Sequence, residues 1–136
     1  MGKISGPLLD RIDIHVEVPA AEFKELSSTR VGTSSSEIRE GVENARKAQY
    51  ERFHGDLTNY NAQMSSKQIR QFCQLNRECI NILKISVNDL GLSARAHDKV
   101  LRLSRTIADL EAANEIQTHH LTEAINYRML DRDVWK

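Results

Sequence analysis

The sequence predicts a mainly α-helical protein, a helical bundle preceded by one β-strand. Apolar residues recur at three- and four-residue steps through most of the chain, which is typical of helices with one buried face. Strict alternation of apolar and polar residues occurs over residues 12–18 and is typical of a strand. With 136 residues, 40% of them hydrophobic and 28% charged, the chain can bury one core, as a single domain or a domain with an appendage.

The N-terminal part predicts a short helical turn followed by this strand. Proline is favoured at the first helical position, so we expect a helical turn from Pro7 to Arg11. Residues 12–18 then alternate until Pro19 stops the strand. A lone strand leaves its backbone N–H and C=O groups without ladder partners. The simplest account is a chain cut inside a larger α/β core whose sheet held the strand; the alternative is an isolated edge segment packed on helices.

Two capping boxes and one glycine delimit the first helices of the bundle. Ser34 with Glu37, and Ser65 with Gln68, are the residue pairs that cap the first turns of two helices. A third helix is predicted to end at Gly91, a position that favours the left-handed backbone conformation. The residues expected to be buried on these helices are Ile38, Val42, Ala45, Phe53, Ile69, Phe72, Ile80, Leu83, Val87 and Leu90.

The next helix carries the main candidate site. Ser93 is a good N-cap, and Arg95, Lys99 and Arg102 share one face of the helix that follows. A last helix is predicted to have Thr118 as its N-cap. The residues expected to be buried on these two helices are Ala96, Val100, Leu103, Ile107, Leu110, Leu121, Ala124 and Ile125.

Composition excludes several classes of function. Lysine and arginine total 19, as do aspartate and glutamate, so no overall basic field indicates nucleic acid or an anionic membrane. No phosphate loop, dinucleotide fingerprint or nucleophile elbow is present in the sequence. Cys73 and Cys79 are too far apart for a CxxC motif and indicate reduced thiols. With no membrane span or signal peptide in the sequence, we expect a cytoplasmic protein.

Two arginines are the strongest candidate site residues. Arg95 lies in a first turn, where free N–H groups and the helix dipole already favour anions, so it lies on a solvated face or points at a negative group such as a phosphate. Arg11 lies between Asp10 and Asp13 and forms a salt bridge to one of them or projects off the edge of the domain. Together with the missing sheet, the two arginines suit a nucleotide bound at a subunit boundary.

The histidines are weaker candidates for catalysis or metal binding. His119 and His120 are adjacent, which places them about 100 degrees apart on a helix, so we expect surface residues and no shared metal. His15, on the polar side of the predicted strand, and His97, beside Asp98, each lack a visible nucleophile partner. No metal site is predicted.

Two stretches resemble a known family. Residues 5–19, SGPLLDRIDIHVEVP, resemble the stretch that closes the AAA+ core in magnesium-chelatase-like ATPases of the competence protein ComM (YifB) group. Residues 92–110, which begin Leu-Ser-Ala-Arg-Ala, resemble the lid helix of the same group. The similarity runs from Ile4 to Asp131, and the first motif is the more specific.

The resemblance implies a role for each arginine and a division of the chain. Arg11 matches the arginine finger, which acts in trans, and Arg95 matches the sensor 2 arginine, which contacts an ATP phosphate. Residues 1–19 would be the end of the AAA+ core, residues 20–33 a linker and residues 34–136 the helical lid domain. The Walker A and Walker B segments would lie upstream, so we expect this chain alone not to be an enzyme and its parent to be an ATP hydrolase.

The resemblance also implies ligands and partners. ATP and Mg²⁺ would be cofactors of the full-length parent, and this fragment alone would hold neither. Its partners would be the missing core and neighbouring subunits of a homo-oligomeric ring, which we expect to be a hexamer. DNA is a further expected partner, because the resemblance points to DNA remodelling by the parent, and no membrane is expected.

Two other classes of function stay open at the level of sequence. In a nucleic-acid-binding module, residues 66–90 would form a helix-turn-helix, and phosphates would be contacted by Arg95, Lys99, Arg102 and Arg105. The neutral net charge weakens this hypothesis. In the other class, a helical adaptor would dock partner proteins through exposed apolar surface.

Overall fold

The computed structural model describes residues 6–9, 11–20, 23 and 27–128. Their elements are α1 (Gly6–Leu9), α2 (Ser35–Arg52), a 3₁₀ turn (Asn61–Gln63), α3 (Ser66–Phe72), α4 (Arg77–Leu90), α5 (Ala94–Leu110) and α6 (Thr118–Asn126). The helical bundle predicted from the sequence is confirmed. Within the described ranges, every helix is too short or too polar to cross a bilayer.

The helix ends follow the predicted capping chemistry. The Ser34 Oγ accepts the Glu37 N–H at 3.2 Å while the Glu37 carboxylate accepts the Ser34 N–H at 2.7 Å. The carboxylate also accepts the Ser34 hydroxyl at 2.7 Å, and this hydrogen bond, followed by the one from the backbone N–H, lowers the pKa of Glu37. Ser65 and Gln68 form the second capping box. Gly91 ends α4 with φ of 60°, which is the left-handed conformation that glycine adopts without steric cost.

Two N-caps differ from the prediction. Asn76, for which no cap was predicted, caps α4 by accepting the Cys79 N–H at 2.8 Å. Thr118 is the first helical residue of α6 and not its N-cap. The N-cap is Gln117, whose backbone N–H donates to the His120 ring at 2.9 Å in a capping box.

The core is built around α5, which packs against α2, α3, the 3₁₀ turn and α6. The predicted inner face is confirmed at Ala96, Val100 and Ile107, which are buried. The prediction is wrong for four residues that are about half exposed: Ile38, Val42, Ile80 and Leu110. Helix α2 buries Ala45 and Gln49 near its C-terminal end and leaves its first turns exposed, so the apolar pattern there finds no partner surface among the described residues.

No strand forms in the part of the chain that the structure describes, so the β-strand predicted over residues 12–18 is wrong. The segment is irregular, and Ile14, Val16 and Val18 are exposed. The reason is the absence of a ladder partner among the described residues; the backbone N–H of His15 instead donates to the Tyr127 carbonyl at 2.9 Å. The arrangement matches the alternative of an edge segment packed on helices. The division at residues 19 and 33 stays a prediction.

Candidate functional site

Arg95 lies where the sequence predicted, in the first turn of α5. The Ser93 Oγ accepts the Ala96 N–H at 3.1 Å and so fixes the start of the helix. Ala96 and Val100 face the core, while Arg95 is exposed. The helix thus carries Arg95 on its solvent side.

Arg11 is exposed in the turn that follows α1. Its backbone N–H donates to the Leu8 carbonyl at 3.0 Å and closes that turn. Of its two predicted salt-bridge partners, Asp10 lies outside the described residues. The other, Asp13, binds the Lys99 ammonium at 2.8 Å.

The Asp13–Lys99 ion pair joins the segment that contains Arg11 to the helix that contains Arg95. Arg11 precedes Asp13 by two residues, and two extended residues span about 7 Å. Arg95 precedes Lys99 by about one helical turn, a rise of about 6 Å. Each exposed arginine thus lies within a short stretch of chain of one partner of this ion pair.

The segment that follows Arg11 is also attached to the end of α6. Arg128 is 1% exposed, and its guanidinium donates to the Ile12 carbonyl. The His15 N–H donates to the Tyr127 carbonyl, and His15 is buried, not on a solvated polar face as predicted. Sequence reasoning missed Arg128 because 116 residues separate it from its partner.

The other two cations of the predicted phosphate-binding row are engaged inside the bundle. Arg102 donates to the Met64 carbonyl at 2.6 Å. Arg105 is 4% exposed and donates to the carbonyls of Asn114 at 2.9 Å and Ala113 at 2.6 Å. Arg105 is thus wrong as a phosphate contact, because its guanidinium ties α5 to the loop that precedes α6.

The partner that neutralises Arg105 is Asp109, whose side chain is 1% exposed. Its carboxylate accepts two hydrogen bonds from Arg52, at 2.7 and 2.5 Å. It also accepts the Asn61 amide at 2.8 Å and the Arg105 Nε–H at 3.1 Å. This buried group, which we call the Asp109 cluster, joins α2, the 3₁₀ turn and α5.

A second cluster of titratable side chains joins the end of α5 to the start of α6. The Glu111 carboxylate is bound by the Nε2 atoms of His119 and His120, each at 2.8 Å. Hydrogen bonds from these rings lower the pKa of Glu111, His119 making the larger contribution. His120 is 0% exposed, so its prediction as a surface residue is wrong, because its ring also caps α6.

The cap determines what His120 can do chemically. The His120 Nδ1 accepts the Gln117 N–H, so the proton of the neutral ring is on Nε2 and is donated to Glu111. A metal ion on Nε2 would require that proton to move to Nδ1, where it would face the Gln117 N–H. The arrangement therefore favours a hydrogen-bonded carboxylate over a metal centre.

A groove of about 790 Å³ lies between α3, α4 and α5. Its apolar lining includes Ile69, Cys73, Leu83, Val87 and Leu101. Burial raises the pKa of the Cys73 thiol to about 11, which makes it a poor nucleophile. Both cysteines are free, as predicted. The groove is the exposed apolar surface that the adaptor hypothesis requires, and that hypothesis stays open.

Comparisons with known proteins give the family. Residues 32–128 match the family described as magnesium chelatase, subunit ChlI C-terminal. Competence protein ComM of Haemophilus influenzae is 40% identical over 133 residues, 97% of this chain and 25% of ComM. YifB of Escherichia coli is also 40% identical over 133 residues, 97% of this chain and 26% of YifB. The chain thus spans about a quarter of the length of these curated relatives. It belongs to the magnesium chelatase subunit ChlI C-terminal family and is similar to ComM and YifB.

Proposed function

We propose that this chain is the C-terminal helical lid of a ring-forming magnesium-chelatase-like AAA+ ATPase. Arg11 is its arginine finger and Arg95 its sensor 2 arginine. The observation that carries the proposal is that exposed Arg11 and Arg95 each lie a few residues before one partner of the Asp13–Lys99 ion pair, in a chain that belongs to the family. The parent is a cytoplasmic homo-oligomer, a hexamer, and its core binds ATP and Mg²⁺ outside this chain.

Each arginine has a distinct task in this proposal. Phosphoryl transfer needs little covalent help, but it needs cations that offset the charge developing on the phosphate oxygens. Arg11 would supply that cation to ATP on a neighbouring subunit, so that hydrolysis depends on ring assembly. Arg95, on the lid helix, would bind a phosphate of ATP and so couple the position of the lid to the nucleotide.

The finger is tested by Arg11→Ala in the full-length parent. We expect ATP turnover to fall by about 10³-fold or more, because a missing finger leaves the transition-state charge without its cation. Nucleotide binding, measured with a fluorescent ATP analogue, should change little. The control is Arg30→Ala, which removes another exposed arginine of the N-terminal part. Parental turnover in Arg11→Ala would refute the assignment.

Mixed rings test whether Arg11 acts in trans. Arg11→Ala subunits retain an intact phosphate loop, and subunits disabled in the parent's phosphate loop retain Arg11. Each variant alone should be inactive. Mixing them should restore part of the turnover, since some interfaces then combine a working loop with a working finger. No recovery in rings shown to be mixed would contradict action in trans.

The sensor is tested by Arg95→Ala, with Arg77→Ala as the matched control. Both arginines are exposed and lie in the first turn of a capped helix, α5 and α4 respectively. We expect only Arg95→Ala to weaken nucleotide binding or hydrolysis by the parent. Equal behaviour of the two variants would remove the sensor role.

We further propose that the parent remodels DNA. One relative is named a competence protein, and this supports DNA as the substrate of the ring. The lid alone is a poor candidate for DNA binding, because the chain has no net charge and Arg105 is buried. We expect the parent, but not this chain alone, to bind duplex or single-stranded DNA in a salt-dependent way. Binding by this chain at low salt would instead favour the nucleic-acid module.

A further inference from the structure

We propose that Lys99 and Arg128 are positioning residues. They clamp the segment that carries Arg11 onto the helix that carries Arg95. This inference rests on the proposed function, because it assigns the two cations the task of setting the finger relative to the sensor. The clamp comprises the Lys99–Asp13 ion pair and the hydrogen bond from Arg128 to the Ile12 carbonyl.

The contacts converge on a short segment from different parts of the bundle. Lys99 reaches Asp13 from α5, and Arg128 reaches Ile12 from the turn that ends α6. The Tyr127 carbonyl accepts the His15 N–H beside them. Residues 12–15 are thus held through the Asp13 side chain, the Ile12 carbonyl and the His15 N–H, although they form no sheet.

The two sides of the clamp differ in their exposure. The Lys99 side chain is 12% exposed, whereas the Asp13 side chain is 65% exposed. Arg128 is 1% exposed, although Ile12 is itself exposed. Two cations that are largely buried in the docked arrangement thus contact a segment that is itself mostly exposed. Burying cations costs free energy unless they are paired, so docking of this segment helps to offset that cost.

The clamp has a mechanical consequence for the proposed reaction. Lys99 lies one helical turn after Arg95, so a shift of α5 in response to nucleotide is passed through Asp13 to the turn that carries Arg11. Misplacing a catalytic group by about 1 Å can cost about 100-fold in rate. The clamp thus links the state of the lid to the readiness of the finger.

The test uses charge reversal and rescue in the full-length parent. We expect Lys99→Glu to lower kcat for ATP by about 10-fold or more, because repulsion from Asp13 releases the segment. The double variant Asp13→Lys with Lys99→Glu restores the pair and should return kcat to within about 3-fold of the parent. Lys47→Glu, which reverses an exposed lysine in the middle of α2, is the control and should leave kcat unchanged.

Hydrogen–deuterium exchange gives a readout that does not depend on turnover. The peptide over residues 12–18 contains the His15 N–H, so it should exchange several-fold faster in Lys99→Glu and recover in the double variant. A peptide from α4 should not change. Arg128→Met removes the other contact and should accelerate exchange of residues 12–18 in the same way. If its deep burial prevents folding, the Asp13–Lys99 pair, whose Asp13 side chain is exposed, decides the test.

The outcomes separate this inference from the proposed function. Parental turnover in Arg11→Ala overturns the finger itself. An inactive Arg11→Ala, together with unchanged turnover and exchange in Lys99→Glu, overturns only the clamp. Faster exchange with parental kcat in Lys99→Glu also overturns the positioning role. A lower kcat together with faster exchange in Lys99→Glu, both reversed in the double variant, supports the positioning role.

Discussion

The two halves of α5 use charge in opposite ways. In the C-terminal half, the Asp109 cluster buries a carboxylate between Arg52 and Arg105 and adds an amide hydrogen bond from Asn61. In the N-terminal half, Arg95 is exposed. The difference shows that an arginine on this helix is not by itself a functional signal. What separates Arg105 from Arg95 is burial.

The free-energy cost of burying a charge explains the contrast between Arg105 and Arg95. A charge removed from water is tolerated only when opposite charges and hydrogen bonds surround it, and the Asp109 carboxylate receives both. Its guanidinium partners are thereby committed to the fold. An exposed arginine keeps most of its solvation, so replacing it has little effect on stability.

The largest expected effect comes from removing the centre of the cluster. Asp109→Asn leaves Arg52 and Arg105 without their carboxylate, so we expect the free energy of unfolding to fall by about 3–5 kcal/mol. Urea denaturation followed by circular dichroism measures this. Asp98→Asn is the control, because that carboxylate is partly exposed beside His97 and should contribute about 1 kcal/mol or less. Equal losses in the two variants would break the comparison.

A smaller effect is expected from the amide of the cluster. Asn61 is 1% exposed, donates to Asp109 and Thr106, and accepts from Arg52. We expect Asn61→Ala to lower the free energy of unfolding by about 1–3 kcal/mol, since buried partners lose hydrogen bonds while the ion pairs survive. Asn44→Ala, on the exposed face of α2, should change it by less than about 0.5 kcal/mol. A loss in Asn61→Ala that equals that in Asp109→Asn would show that the amide, not the charge, organises the cluster.

Local features of the fold could be predicted from sequence, because their partners are close in the chain. The capping boxes at Ser34 and Ser65 span three residues, and the Gly91 end of α4 depends on one residue. The Arg105–Asp109 pair has the i,i+4 spacing that a helix brings together, so a signal for it was present. Arg52 lies 57 residues from Asp109, and nothing in the pattern predicts that contact.

The same limit explains the errors near the candidate site. Alternation over residues 12–18 reports which side chains are apolar, but a strand also needs a neighbour, and the described residues supply none. The sequence predicted Arg11 and Arg95 as site residues, which stays a prediction, and it gave no signal for the Asp13–Lys99 pair. It also missed His120, although the Gln117 to His120 spacing is that of a capping box with unusual residues.

The smallest expected change in stability comes from replacing Glu111, two residues beyond Asp109. Its side chain is 48% exposed, and hydrogen bonds from His119 and His120 lower its pKa in the folded state. A lowered folded pKa stabilises the protein above the unfolded pKa, about 4.3, and this stabilisation is lost as the pH falls through the folded value.

Glu111→Gln should therefore lower Tm slightly at pH 7, and the difference from the parent should shrink as the pH falls below about 4.3. Thermal melts of both proteins at several pH values measure this. A difference in Tm that is independent of pH would contradict the linkage and assign Glu111 a packing role. A loss as large as that in Asp109→Asn would show that exposure does not separate structural from dispensable carboxylates around α5, because Glu111 is hydrogen-bonded like Asp109 but has access to water.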